Sequence, residues 1–245
     1  VVGIIIPRKR FSDNLKLHVD LPQEEEFAIL NTTGASFYKS FIFPQNMMVY
    51  FESYILFTDF YSEVRWIQEY RSIINRILGS QKKSKCTVLK NPCNTGRIKT
   101  IINQYPDAKF IYLYRNPLDV IISSKMMFSE TIKRLRFHDI SEDDIGENII
   151  DIYSRIIDRY ESDKKCIAKG NLIEISFEEL ERSSEDILEL IYEKFGIEKR
   201  GINNIVHGSY LNKSKNYKKM SYSQDSELNN IVKQKLNRFF SHYGY

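Results

Sequence analysis

The sequence predicts an α/β protein built on a parallel sheet, and three observations carry that reading. Two short β-prone runs, Cys86–Lys90 and Lys109–Tyr114, are each followed at once by helical spacing, the strand–helix–strand–helix rhythm of a parallel sheet. A third apolar run, Asn171–Phe177, follows a long amphipathic helix. Hydrophobic residues make up 42% of the chain and charged residues 28%, which is enough apolar surface for a core and excludes disorder. The 245 residues fit one sizeable domain.

Each element has its own justification. Gly3 to Pro44 reads as loop and short elements, and Tyr50 to Leu78 as helical and strongly aromatic, with Trp66 and its neighbouring rings serving as core. After the β-prone run ending at Lys90, Asn94 and Thr95 offer an N-cap. Ile98, Ile101, Ile102 and Tyr105 then recur at helical spacing until Pro106 stops them. Lys109–Tyr114 is mostly apolar and aromatic, as a strand covered on both faces is. Asn116 and Pro117 are an N-cap and first helical residue, with Asp119 in the first turn. Ile149, Ile150, Ile152, Tyr153, Ile156, Ile157 and Tyr160 form a broad stripe on a long helix. After the third strand, Ser183 caps Glu185–Phe195, which ends at Gly196 as a left-handed C′ residue. Leu228 to Tyr243 closes the chain as an amphipathic helix.

Several function classes drop out. A net charge of +4 from 36 basic and 32 acidic residues is too mixed for a nucleic-acid arm, so no nucleic-acid partner is expected. No apolar run reaches the roughly 18 residues of a membrane span. The opening VVGIII lacks a preceding basic stretch and a small-residue cleavage site, so it does not read as a signal peptide. Cys86, Cys93 and Cys166 are odd in number and scattered, which argues against a disulfide framework or a zinc site, and the four His show no metal spacing. A reduced, cytoplasmic setting and no metal are therefore expected. The absence of G-x-x-x-x-G-K-[ST], G-x-G-x-x-G and G-x-S-x-G removes support for ordinary P-loop hydrolysis, hydride transfer and α/β-hydrolase chemistry.

Four features can carry chemistry. Arg115 ends a buried strand just before a helix N-terminus, where open α/β sheets bind ligands and free N–H groups favour an anion. Ser123, two turns further on, can donate to the same anion. The competing reading pairs Arg115 with Asp119 and leaves Ser123 facing solvent. Lys90 likewise ends a strand before a helix, although it and Arg97 can equally be surface charges. Glu24, Glu25 and Glu26 are three adjacent carboxylates; a partly buried one can act as a base, whereas such a run is usually a solvated helix start. His18, near this run, is a second-rank base candidate. Lys213–Lys219 is a basic segment that either closes over a phosphate or is a surface loop.

These residues resemble a known family. Tyr112-Leu-Tyr-Arg-Asn-Pro-Leu-Asp-Val-Ile-Ile-Ser123 is similar to the 3′-phosphate-binding motif of sulfotransferases that use 3′-phosphoadenosine 5′-phosphosulfate (PAPS), in which an Arg and a Ser eight residues later hold the phosphate. Leu89-Lys-Asn-Pro92 with Tyr105-Pro-Asp-Ala-Lys-Phe110 is similar to the "K-S/N-P … F-P-D-A-K-F" stretch of the broad, mainly bacterial group. Ile175-Ser-Phe-Glu-Glu-Leu180 resembles its "Y-E-D-L" segment, whose aromatic residue lies near the adenine. Arg10–Asn14 and Pro22–Phe27 resemble the acidic segment that follows the family's N-terminal phosphate loop, and the Tyr-Gly-Tyr ending is also typical.

The resemblance implies a P-loop NTPase-like sulfotransferase fold, a central parallel sheet flanked by helices. It implies sulfuryl transfer from PAPS to a hydroxyl or amine of a small-molecule or glycan acceptor. Arg115 and Ser123 would hold the 3′-phosphate, Phe177 would stack near the adenine without a tyrosine's hydroxyl, and Lys90 would lie near the phosphosulfate. Glu25 is preferred as base over Glu24 and Glu26, and Lys215 and Lys218 stand where relatives place a phosphate-closing loop. The family's P-R-S/T-G-T-[ST] loop has no counterpart after Ile6-Pro-Arg8. The chain is accordingly expected to be a single domain over 1–245 whose N-terminal strand–loop–helix unit is missing. A sulfotransferase-like module that binds nucleotide without transfer is the alternative, and a kinase-like enzyme a third reading that lacks a Walker lysine.

Overall fold

Residue 21 and residues 23–80, 86–198 and 226–245 are described by a computed structural model, in which the chain falls into two units: Val1–Pro106 with Val120–Ile167, and Asp107–Asp119 with Ala168–Tyr245.

The described part of the first unit is helical. It comprises α1 (Glu25–Thr32), 3-10 turns at Phe37–Phe41 and Pro44–Asn46, α2 (Met47–Phe51), a π turn (Glu52–Leu56), α3 (Phe60–Ser80), a 3-10 turn (Pro92–Gly96), α4 (Ile98–Gln104), most of α5 (Pro117–Leu135) and α6 (Glu142–Asp163). The helical stretch expected from Tyr50 to Leu78 breaks at Phe57, whose φ of 53° is the single positive value on a non-glycine residue among the described residues. The π turn inserts an extra residue per turn and the chain leaves it left-handed. The Phe57 ring then folds back onto fully buried Trp66, 5.3 Å between ring centres. Asp59 restarts the helix by accepting from the Ser62 N–H at 2.8 Å.

Helix α6 follows the predicted stripe in part: Ile149, Ile150, Ile157 and Tyr160 are buried, as is Ile145 before them, while Ile152, Tyr153 and Ile156 are half-buried. Ser141 caps the start by accepting from the Asp144 N–H at 3.0 Å. Two expectations fail here. Cys86–Lys90 is not a strand, because it pairs with no strand among the described residues, and Val88 is 83% exposed. Helix α4 starts at Ile98 rather than after an Asn94 or Thr95 cap, since the preceding residues wind as a 3-10 turn and the Asn94 side chain bonds elsewhere.

In the second unit β1 (Phe110–Tyr114) and β2 (Leu172–Ser176) pair in parallel, in a register running from Phe110 opposite Leu172 to Tyr114 opposite Ser176. Helices α7 (Phe177–Arg182), α8 (Ser184–Phe195) and α9 (Ser226–Tyr243) follow. Ile173, Ile175 and Phe195 form a core with Leu180, Ile187 and Ile191 packed against it. A capping box turns β2 directly into α7: the Glu179 N–H donates to Ser176 Oγ and the Ser176 N–H to Glu179 Oε2, both at 3.1 Å. Strand β1 is less enclosed than expected. Ile111 and Leu113 are 47% and 45% exposed, while Tyr114 on the alternate face stacks on Tyr243 at 4.9 Å.

Asn116 caps α5 as predicted, accepting from the Leu118 N–H at 2.9 Å. Ser183 precedes α8 but its side chain makes no capping bond. Gly196 ends that helix at φ 62°. Its missing Cβ would meet no atom within 4 Å, so Gly196→Ala tests backbone conformation alone. Urea unfolding of that variant is expected to show a loss of about 1–2 kcal/mol; an unchanged midpoint would show that the left-handed residue costs nothing here. Among the described residues, no helix is long and apolar enough to cross a membrane and no group of His, Cys, Asp and Glu is arranged for a metal.

Candidate active site

The acidic run is a helix start, as its composition suggests, but it is not solvated. Glu24 is the N-cap of α1, and Glu25 and Glu26 occupy the first turn, where the helix dipole favours carboxylates. Glu25 is 5% and Glu26 0% exposed. Burial of that kind requires partners, and the 3-10 turn at Pro92–Gly96 supplies most of them. Residues three apart eclipse on such a turn, so Asn91, Asn94 and Arg97 come to one side and all three reach the acidic helix start. Asn91 fixes the turn, accepting from the Cys93 N–H at 2.9 Å. Gly96 lets it approach, since a Cβ there would lie 2.5 Å from Ile55 Cγ2.

The three carboxylates have different surroundings. Glu26 forms a fully buried pair with Arg97, Nη1 to Oε2 at 2.6 Å and Nη2 to Oε1 at 3.0 Å. It also accepts from Ser36 Oγ at 2.7 Å, the Phe37 N–H at 3.3 Å and Asn91 Nδ2 at 3.0 Å. Burial pulls its carboxyl upward, but the Arg97 charge and these bonds outweigh burial and hold it below its ordinary value. Arg97 is completed by an Nε bond to the Tyr54 carbonyl at 2.7 Å and lies 4.5 Å from the Trp66 ring. Burial alone would lower the guanidinium; Glu26 raises it, so both members stay charged.

Glu24 is engaged at both oxygens, by Lys90 Nζ and by the Tyr38 hydroxyl. Burial, then Cys93 and Glu24, push the Tyr38 phenol far up, so it donates and does not ionise. Burial likewise raises the Cys93 thiol, which excludes it as a nucleophile. Glu25 differs from both neighbours. Its Oε1 accepts from Asn94 Nδ2 at 2.8 Å and Asn91 Nδ2 at 3.2 Å, whereas its buried Oε2 has no hydrogen-bond partner among the described residues. Lys90, a surface charge by exposure (78% for its side chain), is tied to Glu24. Arg97 is the opposite of the surface charge that its neighbourhood suggested.

In the second unit Arg115 sits at the carboxyl end of β1, just before α5. It pairs with Asp119 through Nη2 at 2.8 Å, and its guanidinium lies 5.0 Å from the Phe177 ring centre. The ion pair with Asp119 forms, as the competing reading of Arg115 has it, and Nε and Nη1 keep unused donors among the described residues. At the neighbouring helix start, Tyr245 donates to Glu178 Oε2 at 2.5 Å. Ser123 lies on α5, where its Oγ donates to the Val120 carbonyl at 3.1 Å. His18, Lys215 and Lys218 lie outside the described residues.

Sequence reading missed Asn91, Asn94 and Arg97 as partners of the acidic run. Their spacing of three about Pro92 is the signal that a 3-10 turn gives, and a helical period of about 3.6 does not single it out.

A family model described as the sulfotransferase family matches residues 14–200. The omega-hydroxy-beta-dihydromenaquinone-9 sulfotransferases Stf3 of Mycobacterium bovis and of Mycobacterium tuberculosis are each 24% identical over 249 aligned positions, covering 100% of this chain and 63% of the relative. The chain thus spans under two thirds of the length of these curated relatives. No solved structure matches it significantly.

Proposed function

This chain belongs to the sulfotransferase family, and from that premise we propose that it moves a sulfuryl group from PAPS to a hydroxyl of a small-molecule acceptor. PAPS supplies an activated sulfuryl group: the acceptor oxygen bonds to sulfur, the bridging S–O bond breaks, and its electron pair leaves on the 5′-phosphate of 3′,5′-adenosine diphosphate. The observation that carries the reading is Glu25, a buried carboxylate held through one oxygen and unpartnered at the other. Such a group takes the acceptor's proton at Oε2 as the new bond forms. Glu26 is held ionised in its pair with Arg97, and Glu24 is engaged at both oxygens, so neither competes for that role.

Nucleotide binding falls to the second unit's cluster. Arg115 offers Nε and Nη1 beside a helix N-terminus at the end of a parallel strand, donors suited to a 3′-phosphate. Phe177 offers a ring for the adenine, and Ser123, Lys215 and Lys218 are further phosphate donors in this reading. Lys90, which stays on Glu24, is the cation this reading places toward the sulfuryl end. The parallel β1–β2 pair with a cation at its carboxyl end supports a P-loop-type sulfotransferase fold. A hydroxyl acceptor agrees with the hydroxylated quinone named for the relatives.

Titration calorimetry with 3′,5′-adenosine diphosphate, together with transfer of label from ³⁵S-PAPS to a panel of hydroxylated menaquinones and simple alcohols, tests the proposal. Arg115→Ala is expected to weaken nucleotide binding about 10- to 100-fold, the worth of a charge-assisted bond. Wild-type affinity in Arg115→Ala would remove Arg115 from the site. Binding without transfer would point instead to a nucleotide-binding module.

A further inference from the structure

We propose that Asn94, with Asn91, is a positioning residue that fixes the Glu25 carboxylate so that it presents one defined oxygen to the acceptor; this rests on the assignment of Glu25 as the base. The two amides act on the same atom. Asn94 Nδ2 and Asn91 Nδ2 both donate to Glu25 Oε1, at 2.8 and 3.2 Å. Two N–H donors saturate that oxygen and fix the plane of the carboxylate, so the basic lone pairs that remain belong to Oε2.

The amides are themselves anchored to the buried ion pair. Asn94 Oδ1 accepts from Arg97 Nη1 at 3.3 Å, and Asn91 Nδ2 also donates to Glu26 Oε2 at 3.0 Å. Orienting Asn94 by a cation that accepts no proton forces its amide N–H toward Glu25. Charge is thereby placed around Glu25 without a hydrogen bond to it: the guanidinium bonds Glu26, and an amide stands between it and Glu25. A direct Arg–Glu25 pair would hold the carboxylate ionised but make it a poor proton acceptor.

Among the described residues, the titratable and charged groups facing Glu25 are few. They are Glu24 and Glu26 on its own helix, Tyr70 on α3, whose phenol burial and then Glu25 push upward, and Cys93 and Arg97 at the 3-10 turn. Tyr70 and Cys93 are both pushed upward and held protonated, whereas Glu26 and Arg97 keep each other charged.

The decisive variant is Asn94→Ala, with Asn94→Asp as a second that keeps the side-chain volume and the acceptor for Arg97. Glu25 protonation is read directly by infrared difference titration of the carboxyl band, identified by its loss in Glu25→Gln, and requires no acceptor. In Asn94→Ala the band is expected to titrate about one pH unit above wild type, the worth of one bond to a charged group. Asn94→Asp, which adds a like charge, is expected to move it further in the same direction. In label transfer from ³⁵S-PAPS, kcat falls about tenfold with KM nearly unchanged, and the acid limb of the pH profile moves up with the band. A wild-type band position in both variants overturns the positioning role, even with a lower rate. Should Glu25→Gln itself retain wild-type transfer, the base assignment falls instead, and the two failures are told apart by that single control.

Discussion

Glu25→Gln is expected to lower turnover by about 10²- to 10⁴-fold, the contribution of a positioned general base, while nucleotide affinity and the unfolding midpoint stay near wild type. The reason lies in which oxygen each partner uses. Glutamine keeps a carbonyl oxygen where Oε1 stands, so the bonds from Asn94 and Asn91 survive. The replaced atom is Oε2, which bonds nothing among the described residues, so no buried contact is lost with it. What disappears is the capacity to accept a proton. Comparing kcat for label transfer with calorimetric binding of 3′,5′-adenosine diphosphate separates the two consequences. Turnover close to wild type would move the base to another group; a collapsed midpoint would mark Glu25 as structural.

Arg97→Met is expected to give the largest loss of stability, about 3–5 kcal/mol, because it strands a buried carboxylate. The residue removed is fully buried and holds Glu26 through two N–H donors. Methionine replaces most of the side-chain volume, so the loss reports charge rather than a cavity. The double variant Glu26→Gln with Arg97→Met is expected to recover part of it, since the unpaired charge is then gone.

The pH dependence has a definite sign. Glu26 is held below its ordinary value of 4.5 in the folded state, so the pair's stabilisation is fully present above that value and fades as pH falls through the folded one. The gap between wild type and Arg97→Met should therefore narrow on acidification. Urea unfolding across that range measures it, and a loss below about 1 kcal/mol at neutral pH would place this pair with weak surface bridges.

The sequence made the second unit's elements legible because their signals are local. Asn116 with Pro117 marked the start of α5, Gly196 the end of α8, and the apolar run before Phe177 the strand β2. The break at Phe57 was not legible, since a bulky residue in the left-handed region is held there by Trp66 and not by its own preference. Glu25 was identifiable as a base candidate from the acidic run and its family likeness. Its burial was not, because a run of three glutamates is ordinarily solvated, and only the fold brings Asn91, Asn94 and Arg97 against it. A cation among Gly96 and Ile98 carries no local mark of being buried. The partner that makes burial possible is 71 residues away in the chain.

Trp66 is the one tryptophan in the chain, stacked on Tyr70 at 4.4 Å with the Arg97 guanidinium over its face. The molecule consequently carries its own optical gauge, and that gauge is lodged wholly in the glutamate-bearing half. Selectively excited indole emission will follow the melting of that half and stay silent on the strand-bearing half, whereas far-ultraviolet dichroism sums over both. Whether the two signals superpose is thus a label-free test of whether the halves unfold as one cooperative body.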